Sequence, residues 1–290
     1  MLAEEKLRQG DVATALTELK KAVQQNPADG KYRVFLFQLF SVLGEWERAA
    51  TQLEVSGDLD AGNLAMVQAY REAIRCEVER EAVFSGTSKP MIFGEPERWV
   101  ALLLQSLKLV AEGNFDQALS LRTQAFELAP TTSGKVTIAH QDEALKFEWM
   151  ADSDARIGPV LEVFMNGQYY WVPLCRIARI QIEAPVDLRD FVWTAAHFTW
   201  VNGGEAVGMI PTRYPGISPT DEPAVQLARK TEWMQIESTS LDRGVGQRAL
   251  ATDSSDYGIL DLREVEFDFG VDELRSASSS VSQETDENEV

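Results

Sequence analysis

The sequence of 290 residues has little cysteine, little histidine and no long run of apolar residues. Only Cys76 and Cys175 occur, far apart, which excludes a disulfide framework, a CxxC redox pair and a cysteine zinc site. His140 and His197 are too few for a multi-histidine metal centre, so no metal and no cofactor are expected. The apolar run at residues 100–104 is far below the roughly 18 residues that cross a bilayer. No membrane-spanning helix is therefore predicted.

Positive charge is also scarce, with 27 Lys and Arg against 46 Asp and Glu and a net charge of −19. Nucleic acids and anionic membranes require cationic faces, so the composition argues against both as partners. From residue 250 onward there are twelve acidic and two basic residues, a net charge of −10. The stretch 273–290 offers almost nothing to bury and is predicted to be an acidic disordered tail. No secretory signal is recognised, which predicts a cytoplasmic protein.

A glycine followed five positions later by an alanine recurs three times in the first half. The glycines are Gly10, Gly44 and Gly113, with offsets of 34 and 69 residues. Glycine allows a turn between two helices, and alanine allows those helices to approach closely. The spacing resembles the tetratricopeptide repeat and predicts a helical repeat domain over residues 1–132. The stretch 63–90 lacks the signature and is expected to be a degenerate helical pair.

The second half has a different periodicity. Residues 133–155 are predicted to form a linker with a short helix. Over residues 156–272 the apolar period becomes two, which is typical of strands with one buried face. Asn166 and Gly167 separate two such runs and predict a tight hairpin turn, and a second hairpin is expected to turn at residues 202–204. The predicted fold class is α+β multidomain, with N-terminal all-α tetratricopeptide-like helical repeats followed by a mostly antiparallel β domain.

Motifs typical of catalysis give no support to an enzyme. The GxGxxA match at residues 244–249 lies in a β-rich region and is interpreted as a tight turn, not as a dinucleotide site. A calcium loop starting at Asp152 is rejected, because Ile157 stands where glycine is needed and Val163 where glutamate is needed. His197 is interpreted as a sheet position and not as a general base. No catalytic residue is therefore assigned.

Surface recognition is the function class that remains. A helical solenoid presents a concave groove that commonly accepts an amphipathic helix or an extended peptide. The aromatic cluster around residue 35 is too dense for one buried stripe, so part of it is a candidate docking surface. The other interpretation, that both of its faces pack between neighbouring repeats, stays open. The candidate partner-binding residues are Tyr32, Phe35, Leu36, Leu39, Arg71, Trp99 and Leu103.

Five short phrases follow one another in the second half, and the sequence resembles a known family in their order and residues. The phrases are Trp171-Val172-Pro173-Leu174, Leu188-Arg189-Asp190-Phe191-Val192-Trp193, Arg213-Tyr214-Pro215-Gly216, Arg229-Lys230-Thr231-Glu232-Trp233 and Gly246-Gln247-Arg248. Behind a helical half they are similar to the ImpE/TagJ family, the accessory proteins of bacterial type VI secretion systems. The arginines and Asp190 are expected to fix loops of the β domain by charge-assisted hydrogen bonds. The residues expected to be structural are Trp171, Arg189, Asp190, Trp193, Arg213, Tyr214, Arg229, Trp233, Gln247 and Arg248.

The resemblance implies a non-catalytic adaptor that binds the N-terminal helix of the small subunit of the contractile sheath. It also implies an influence on sheath assembly or recycling, with an indirect connection to the AAA+ ATPase that recycles the sheath. Binding of a helix in a groove and strand addition at an exposed sheet edge both stay open. The alternative function is a tetratricopeptide adaptor for an unrelated partner such as a chaperone tail, with Arg71 and Arg75 as the carboxylate-binding pair. A hydrolase that uses carboxylates of the β domain is a more remote alternative.

Overall fold

The structure, a computed structural model, describes residues 1–141, 143–236 and 241–269. Helices fill most of the first half and strands most of the second, as the periodicity predicts. None of the described helices is long and apolar enough to cross a bilayer. The predicted acidic tail at 273–290 lies outside the described residues. The α-helices are α1 Leu2–Arg8, α2 Val12–Gln25, α3 Gly30–Val42, α4 Trp46–Leu59, α5 Leu64–Phe84, α6 Arg98–Ala111, α7 Phe115–Leu128 and α8 Pro223–Gln226.

Three helical hairpins confirm that helices pair where the glycine and alanine spacing predicts. Helix α1 pairs with α2, α3 with α4, and α6 with α7. The turns contain Gly10, Gly44 and Gly113, whose φ angles of 82°, 69° and 77° lie in the left-handed region that glycine adopts without strain. The alanine five positions after each glycine is fully buried. The small side chain therefore lies where the two helices of a pair approach each other.

The predicted helical pair at residues 63–90 is wrong, because one uninterrupted helix, α5, covers most of that stretch. No glycine lies inside α5, and the chain leaves the helix at Gly86, whose φ is 75°. Pro90 and Pro96 follow, and proline lacks the N–H that a helix interior requires. The chain between them forms the short strand β1, Met91–Ile92, which joins the sheet of the second half.

The second half is mostly antiparallel, as predicted. Nine strands form one sheet in the order β1-β6-β5-β9-β8-β7-β14-β2-β3, in which only the β1–β6 pair is parallel. A three-stranded sheet, β13-β12-β4, and a two-stranded ribbon, β10-β11, accompany it. The strands after β1 are β2 Gly134–Ile138, β3 Leu145–Phe147, β4 Met150–Asp152, β5 Val160–Met165, β6 Gln168–Pro173, β7 Ile177–Ile182, β8 Trp193–Trp200, β9 Glu205–Pro211, β10 Thr231–Gln235, β11 Asp242–Gly246, β12 Ala249–Thr252, β13 Asp256–Gly258 and β14 Leu262–Phe267.

The predicted linker with a short helix at residues 133–155 is also wrong, since this stretch contributes strands β2, β3 and β4. Strand β2 lies between β14 and β3, and Lys135 pairs with Glu266 at 2.9 Å. At Gly134 an added Cβ would stand 2.1 Å from the carbonyl oxygen of Glu266, so the backbones approach too closely for any side chain. Strand β2 therefore pairs both with the nearby β3 and with β14, which lies more than a hundred residues away along the chain.

Both predicted hairpins are present. Across the first, Met165 pairs with Gln168, and the turn residues Asn166 and Gly167 have φ angles of 52° and 68°. Two successive positive φ angles are the requirement of the type I′ turn, whose twist matches that of the flanking strands. The second hairpin joins β8 to β9.

The helical half and the β half share one hydrophobic core. The ring of Trp193 in β8 lies 6.4 Å from that of Phe37 in α3 and 5.5 Å from that of Tyr70 in α5. Trp171 in β6 lies 6.4 Å from Phe84 at the end of α5. A second apolar cluster is formed mainly by strands of the second half. The aromatic contacts therefore fix how the two halves are oriented.

Candidate functional site

A group of buried charged side chains lies between helix α5 and the sheet. Arg80 of α5 donates from Nε and Nη2 to the two carboxylate oxygens of Glu162 on β5, each at 2.8 Å. Nη2 of Arg80 also donates to the carbonyl of Arg213 at 2.8 Å, and Nη1 donates to Glu77 at 3.2 Å. A bidentate pair of this kind has one favoured geometry, so it helps to fix α5 against the sheet.

Arg248 extends this group on the side of the sheet. Its guanidinium contacts the carboxylates of Glu162 and Asp152, and its Nε donates to the carbonyl of Pro211 at 3.0 Å. The hydroxyl of Tyr214 donates to Asp152 at 3.0 Å. Glu162 therefore lies between two arginines. The set formed by Glu77, Arg80, Asp152, Glu162, Arg213 and Arg248 is named the buried ion network below.

Burial and the arginines act on the carboxylates of this network in opposite directions. Burial raises the pKa of Glu162, but Arg80 and Arg248 outweigh burial and hold that pKa at about 2. For Asp152 burial outweighs Arg248 and raises the pKa to about 7. The cavity beside Glu77 and Arg80 measures only about 10 Å³, which is room for a single water molecule. A substrate does not fit there, so this cavity gives the hydrolase alternative no support.

A groove of about 1190 Å³ lies where the first helices meet the second half. Its lining comes from α1, the first turns of α3, the end of α4, residues 186–191 and the segment around residue 228. It is named the junction groove, because neither half alone supplies the lining. Its apolar lining residues are Met1, Leu7, Ala28, Tyr32, Val34, Phe35, Leu59, Val186, Leu188, Phe191 and Leu227.

The junction groove also has charges of both signs and the size of a short helix. One turn of α-helix with its side chains, about 10 Å across and 5.4 Å long, occupies about 420 Å³. The groove volume of about 1190 Å³ therefore corresponds to roughly two to three turns. Acidic and basic side chains both line it, namely Glu4, Asp29, Asp60 and Asp187 with Arg8, Lys31 and Arg229.

Comparison with known proteins identifies the family. Residues 144–266 match the family model described as ImpE protein. Over 270 residues, 92% of each chain, the sequence is 46% identical to the type VI secretion system accessory component TagJ of Pseudomonas aeruginosa. The chain belongs to the ImpE/TagJ family. A crystal structure of protein VPA1032 from Vibrio parahaemolyticus has the same fold, with a TM-score of 0.83 over 94% of this chain and 99% of that chain at 24% identity.

The aromatic residues of the ImpE/TagJ phrases differ in burial. Trp171, Trp193 and Tyr214 are buried, whereas Trp233 is 43% exposed. Trp193 donates from Nε1 to Glu77 at 3.1 Å, and Tyr214 binds Asp152 through its hydroxyl. Trp193 and Tyr214 therefore supply hydrogen bonds to the buried ion network, which is a structural role inside the protein.

Two of the phrase arginines donate hydrogen bonds to the helical half. Arg213 donates from Nη2 to the carbonyl of Ser41 near the end of α3 at 2.9 Å, and from Nη1 to the carbonyl of Gln226 at 2.7 Å. Arg229 donates from Nη2 to the carbonyl of Leu7 near the end of α1 at 3.3 Å. The last carbonyls of a helix have no partner within it and attract cations. These arginines therefore join the two halves of the ImpE/TagJ fold, a contact that the sequence does not predict.

The other polar phrase residues hold loops of the second half, and Arg189 also contacts the helical half, with its guanidinium carbon 4.9 Å from the ring centroid of Tyr70 in α5. Arg189 forms an ion pair with Asp187, and Asp190 accepts a hydrogen bond from the backbone N–H of Asp187 at 2.9 Å. Gln247 donates from Nε2 to the carbonyl of Ala228 at 2.7 Å. These contacts hold the loop at residues 186–191 and the turn before β12. Both segments contain residues of the ImpE/TagJ phrases.

The candidate partner-binding residues separate into lining, buried and paired positions. Tyr32 and Phe35 line the junction groove. Arg71 is exposed and lies 3.8 Å from Glu54, while its neighbour Arg75 donates to the carbonyl of Gly167. Four apolar candidates are buried in the core, so the prediction that they bind a partner at the surface is wrong. These are Leu36, Leu39, Trp99 and Leu103. They are covered because α3 and α6 each pack large apolar residues against neighbouring elements.

Sequence reasoning missed the buried ion network, although one signal for it is visible. Glu162 is the single charged residue in the otherwise apolar strand β5, and a buried carboxylate requires a cationic partner. Its partners Arg80 and Arg248 lie 82 and 86 positions away along the chain. The need for a cation could thus be predicted from the strand, but the identity of the cations could not.

Proposed function

We propose that this chain is a non-catalytic adaptor of the type VI secretion system that holds a helix of a partner protein in the junction groove. The partner proposed is the small subunit of the contractile sheath, bound through its N-terminal helix. Binding would influence sheath assembly or recycling, and the AAA+ ATPase that recycles the sheath would be affected indirectly. Family membership supports an accessory role in type VI secretion.

The single observation that carries the proposal is the size and lining of the junction groove. About 1190 Å³ of space is lined by eleven apolar residues, which suits the apolar stripe of an amphipathic helix. Val186 is 91% exposed in the free chain and gains most from being covered. Acidic and basic lining residues lie on the same groove, so a helix with charges beside its apolar stripe would be oriented as well as bound.

The chaperone-tail alternative receives less support. A terminal carboxylate would need two cations that are available to it. Arg71 lies near Glu54 at 3.8 Å, and Arg75 is engaged by the backbone of the β5–β6 turn. Both arginines thus have partners within the chain.

The test is calorimetric titration with a synthetic peptide that has the sequence of the N-terminal helix of the sheath small subunit. A one-to-one complex is expected. Val186→Asp should weaken it by about tenfold or more, because a carboxylate would replace an apolar contact. Val207→Asp is the matched control, since Val207 is 64% exposed on β9 and lies outside the groove.

Two outcomes would contradict the proposal. Absence of measurable binding by the wild-type chain would show that the N-terminal helix of the sheath small subunit is not the partner. Equal affinities of the two variants would show that the peptide binds outside the junction groove. Strand addition at a sheet edge would then be the binding mode to test next.

A further inference from the structure

The third helical unit of the first half has one helix where the other units have two. Helices α1 and α2, α3 and α4, and α6 and α7 form pairs, whereas α5 is followed by residues 85–97, which contain no second helix. In a helical repeat each unit packs against its neighbours, so a missing helix leaves part of the adjoining unit without its usual cover. The helix that adjoins the end of α5 is α6.

The chain after α5 runs back along α6 in an extended form. Gly86 lies beside the end of α6, since an added Cβ there would be 3.0 Å from the Cβ of Ala111. The chain must then reach the first residue of α6, Arg98, and the 14 residues of α6 span about 21 Å. On the way it joins the sheet as β1, and the N–H of Phe93 donates to the carbonyl of Trp171 at 3.1 Å. The return segment is thus held by the sheet and does not supply the missing helix.

A cavity of about 650 Å³ lies beside this return segment. It is lined by Val83 near the end of α5, by residues 86–89 and by one side of α6, and it is named the third-unit groove. With about 420 Å³ for one turn of helix, the groove has room for about one and a half turns. None of its lining residues lines the junction groove, so the two sites are separate.

The side of α6 that faces the third-unit groove has uncovered apolar surface. Ala101, Leu104 and Lys108 line the groove and lie three and four positions apart, so they share one face of the helix. Ala101 is exposed and Leu104 is half-buried. A helix placed in the groove would cover the apolar surface of both residues, and this burial favours binding.

The third-unit groove is locally positive in a chain whose net charge is −19. Its charged lining residues are Lys89, Lys108 and Glu112. Lys108 lies 3.6 Å from Glu112, but the two side chains are 58% and 47% exposed, so this pair is weak and can be exchanged for another. Two lysines against one glutamate favour a partner that brings carboxylates to this place.

We propose that the third-unit groove holds an amphipathic helix of a partner protein, which takes the place of the missing second helix. The apolar stripe of that helix covers Ala101 and Leu104. Acidic residues beside the stripe pair with Lys89 and Lys108. The partner completes the third unit in the way that α7 completes the unit of α6, where the fully buried Ala118 lies at the contact between the two helices.

The experiment titrates the full chain into a fluorescently labelled, amidated helical peptide and follows its anisotropy. The probe has leucine along one helical stripe and glutamate on both sides of the stripe. One comparison peptide has lysine in place of every glutamate, and another has the residues of the probe in a shuffled order that breaks the stripe. Saturable one-to-one binding of the probe is expected, about tenfold or more tighter than binding of either comparison peptide.

Ala101→Glu should weaken binding of the probe by about tenfold or more, because a carboxylate would face the apolar stripe and its acidic flank. Ala65→Glu is the matched control, since Ala65 is exposed on α5 and lies outside both grooves. Lys108→Glu and its control Lys135→Glu repeat the comparison at exposed lysines that each pair with a glutamate. They test the site if Ala101→Glu folds poorly by circular dichroism.

The proposal is overturned if the probe does not saturate, if the glutamate and lysine peptides bind alike, or if a groove variant binds like its control. Two further results would replace the partner helix by another occupant and so overturn it too. Displacement of the probe by a synthetic peptide of residues 270–290, at lower concentration than by unlabelled probe, would assign the groove to the acidic end of this chain. Self-association of the wild-type chain in sedimentation velocity that Ala101→Glu abolishes would assign the groove to a second copy.

Discussion

At the scale of single residues, Glu162 connects helix α5 with the sheet of the second half. It accepts hydrogen bonds from Arg80 on a helix, from Arg248 beside a strand and from the hydroxyl of Tyr169 on the neighbouring strand. A buried ion pair need not make a protein more stable than an apolar replacement would. Removing one member is different, because the remaining charges stay buried without compensation.

Glu162→Gln should lower the free energy of unfolding by about 3–5 kcal/mol at neutral pH, because Arg80 and Arg248 would lose their shared carboxylate. The measurement is guanidinium-induced unfolding followed by circular dichroism. Glu266→Gln is the control, since Glu266 forms a partly exposed pair with Lys135 and should cost less than about 1 kcal/mol. Similar losses in the two variants would show that burial does not set the cost.

The loss of unfolding free energy caused by Glu162→Gln should depend on pH. The pKa of Glu162 in the fold is about 2, below its ordinary value of 4.5. The ionised carboxylate therefore contributes stability that is present above about pH 4.5 and is lost as the pH falls through about 2. The difference in unfolding free energy between the wild-type chain and Glu162→Gln should shrink over that interval. A difference that stays constant with pH would contradict the depressed pKa.

At the scale of elements, local spacing predicts helices better than it predicts strands. In each helical hairpin the turn glycine and the buried alanine lie five positions apart. The local sequence pattern is therefore enough to predict that the two helices pair. Strand β2 pairs with β3 inside residues 133–155 but also with β14, and no pattern within that stretch contains this distant partner. The hairpin at Asn166 and Gly167 could be predicted, because its turn and both of its strands are contiguous.

Ala118→Glu tests the spacing inside one helical hairpin. Ala118 is fully buried, and its carbonyl accepts a hydrogen bond from Ser106 of α6 at 2.7 Å. A glutamate there would overpack the contact and bury an unpaired carboxylate, with an expected loss of about 3 kcal/mol or more in unfolding free energy. Gln117→Glu adds the same side chain at the exposed neighbouring position and should change the melting temperature little. An unchanged melting temperature in Ala118→Glu would mean that α6 and α7 do not meet at this alanine.

At the scale of the whole molecule, the helical half and the β half are joined by several kinds of buried contact. Aromatic contacts of Trp193, the buried ion network and the reach of Arg213 to the end of α3 all cross between them. The junction groove exists only where the halves meet, so their relative orientation decides its shape. Stability and the proposed binding surface therefore depend on the same contacts.

This shared interior predicts one cooperative unfolding transition for the full chain. Circular dichroism at 222 nm reports mainly the helical half, and fluorescence of the buried tryptophans reports mainly the β half. The two curves should coincide in their midpoint and slope in a denaturant titration. Two separated transitions would show that the halves fold independently in spite of the contacts between them.

The sequence by itself determined the helical hairpins, the β hairpins, the acidic charge balance and the family. Each of these depends on composition, on neighbouring residues or on short phrases. Tertiary structure alone decided that α5 is a single helix leading into a sheet strand, and that the predicted linker contributes strands β2, β3 and β4. It also decided that Arg80 meets Glu162, and that Tyr32 and Phe35 line a groove while Leu36 and Leu39 fill the core. The physical reason is that burial and ion pairing are properties of contacts between distant segments, and such contacts come into existence only when the chain has folded.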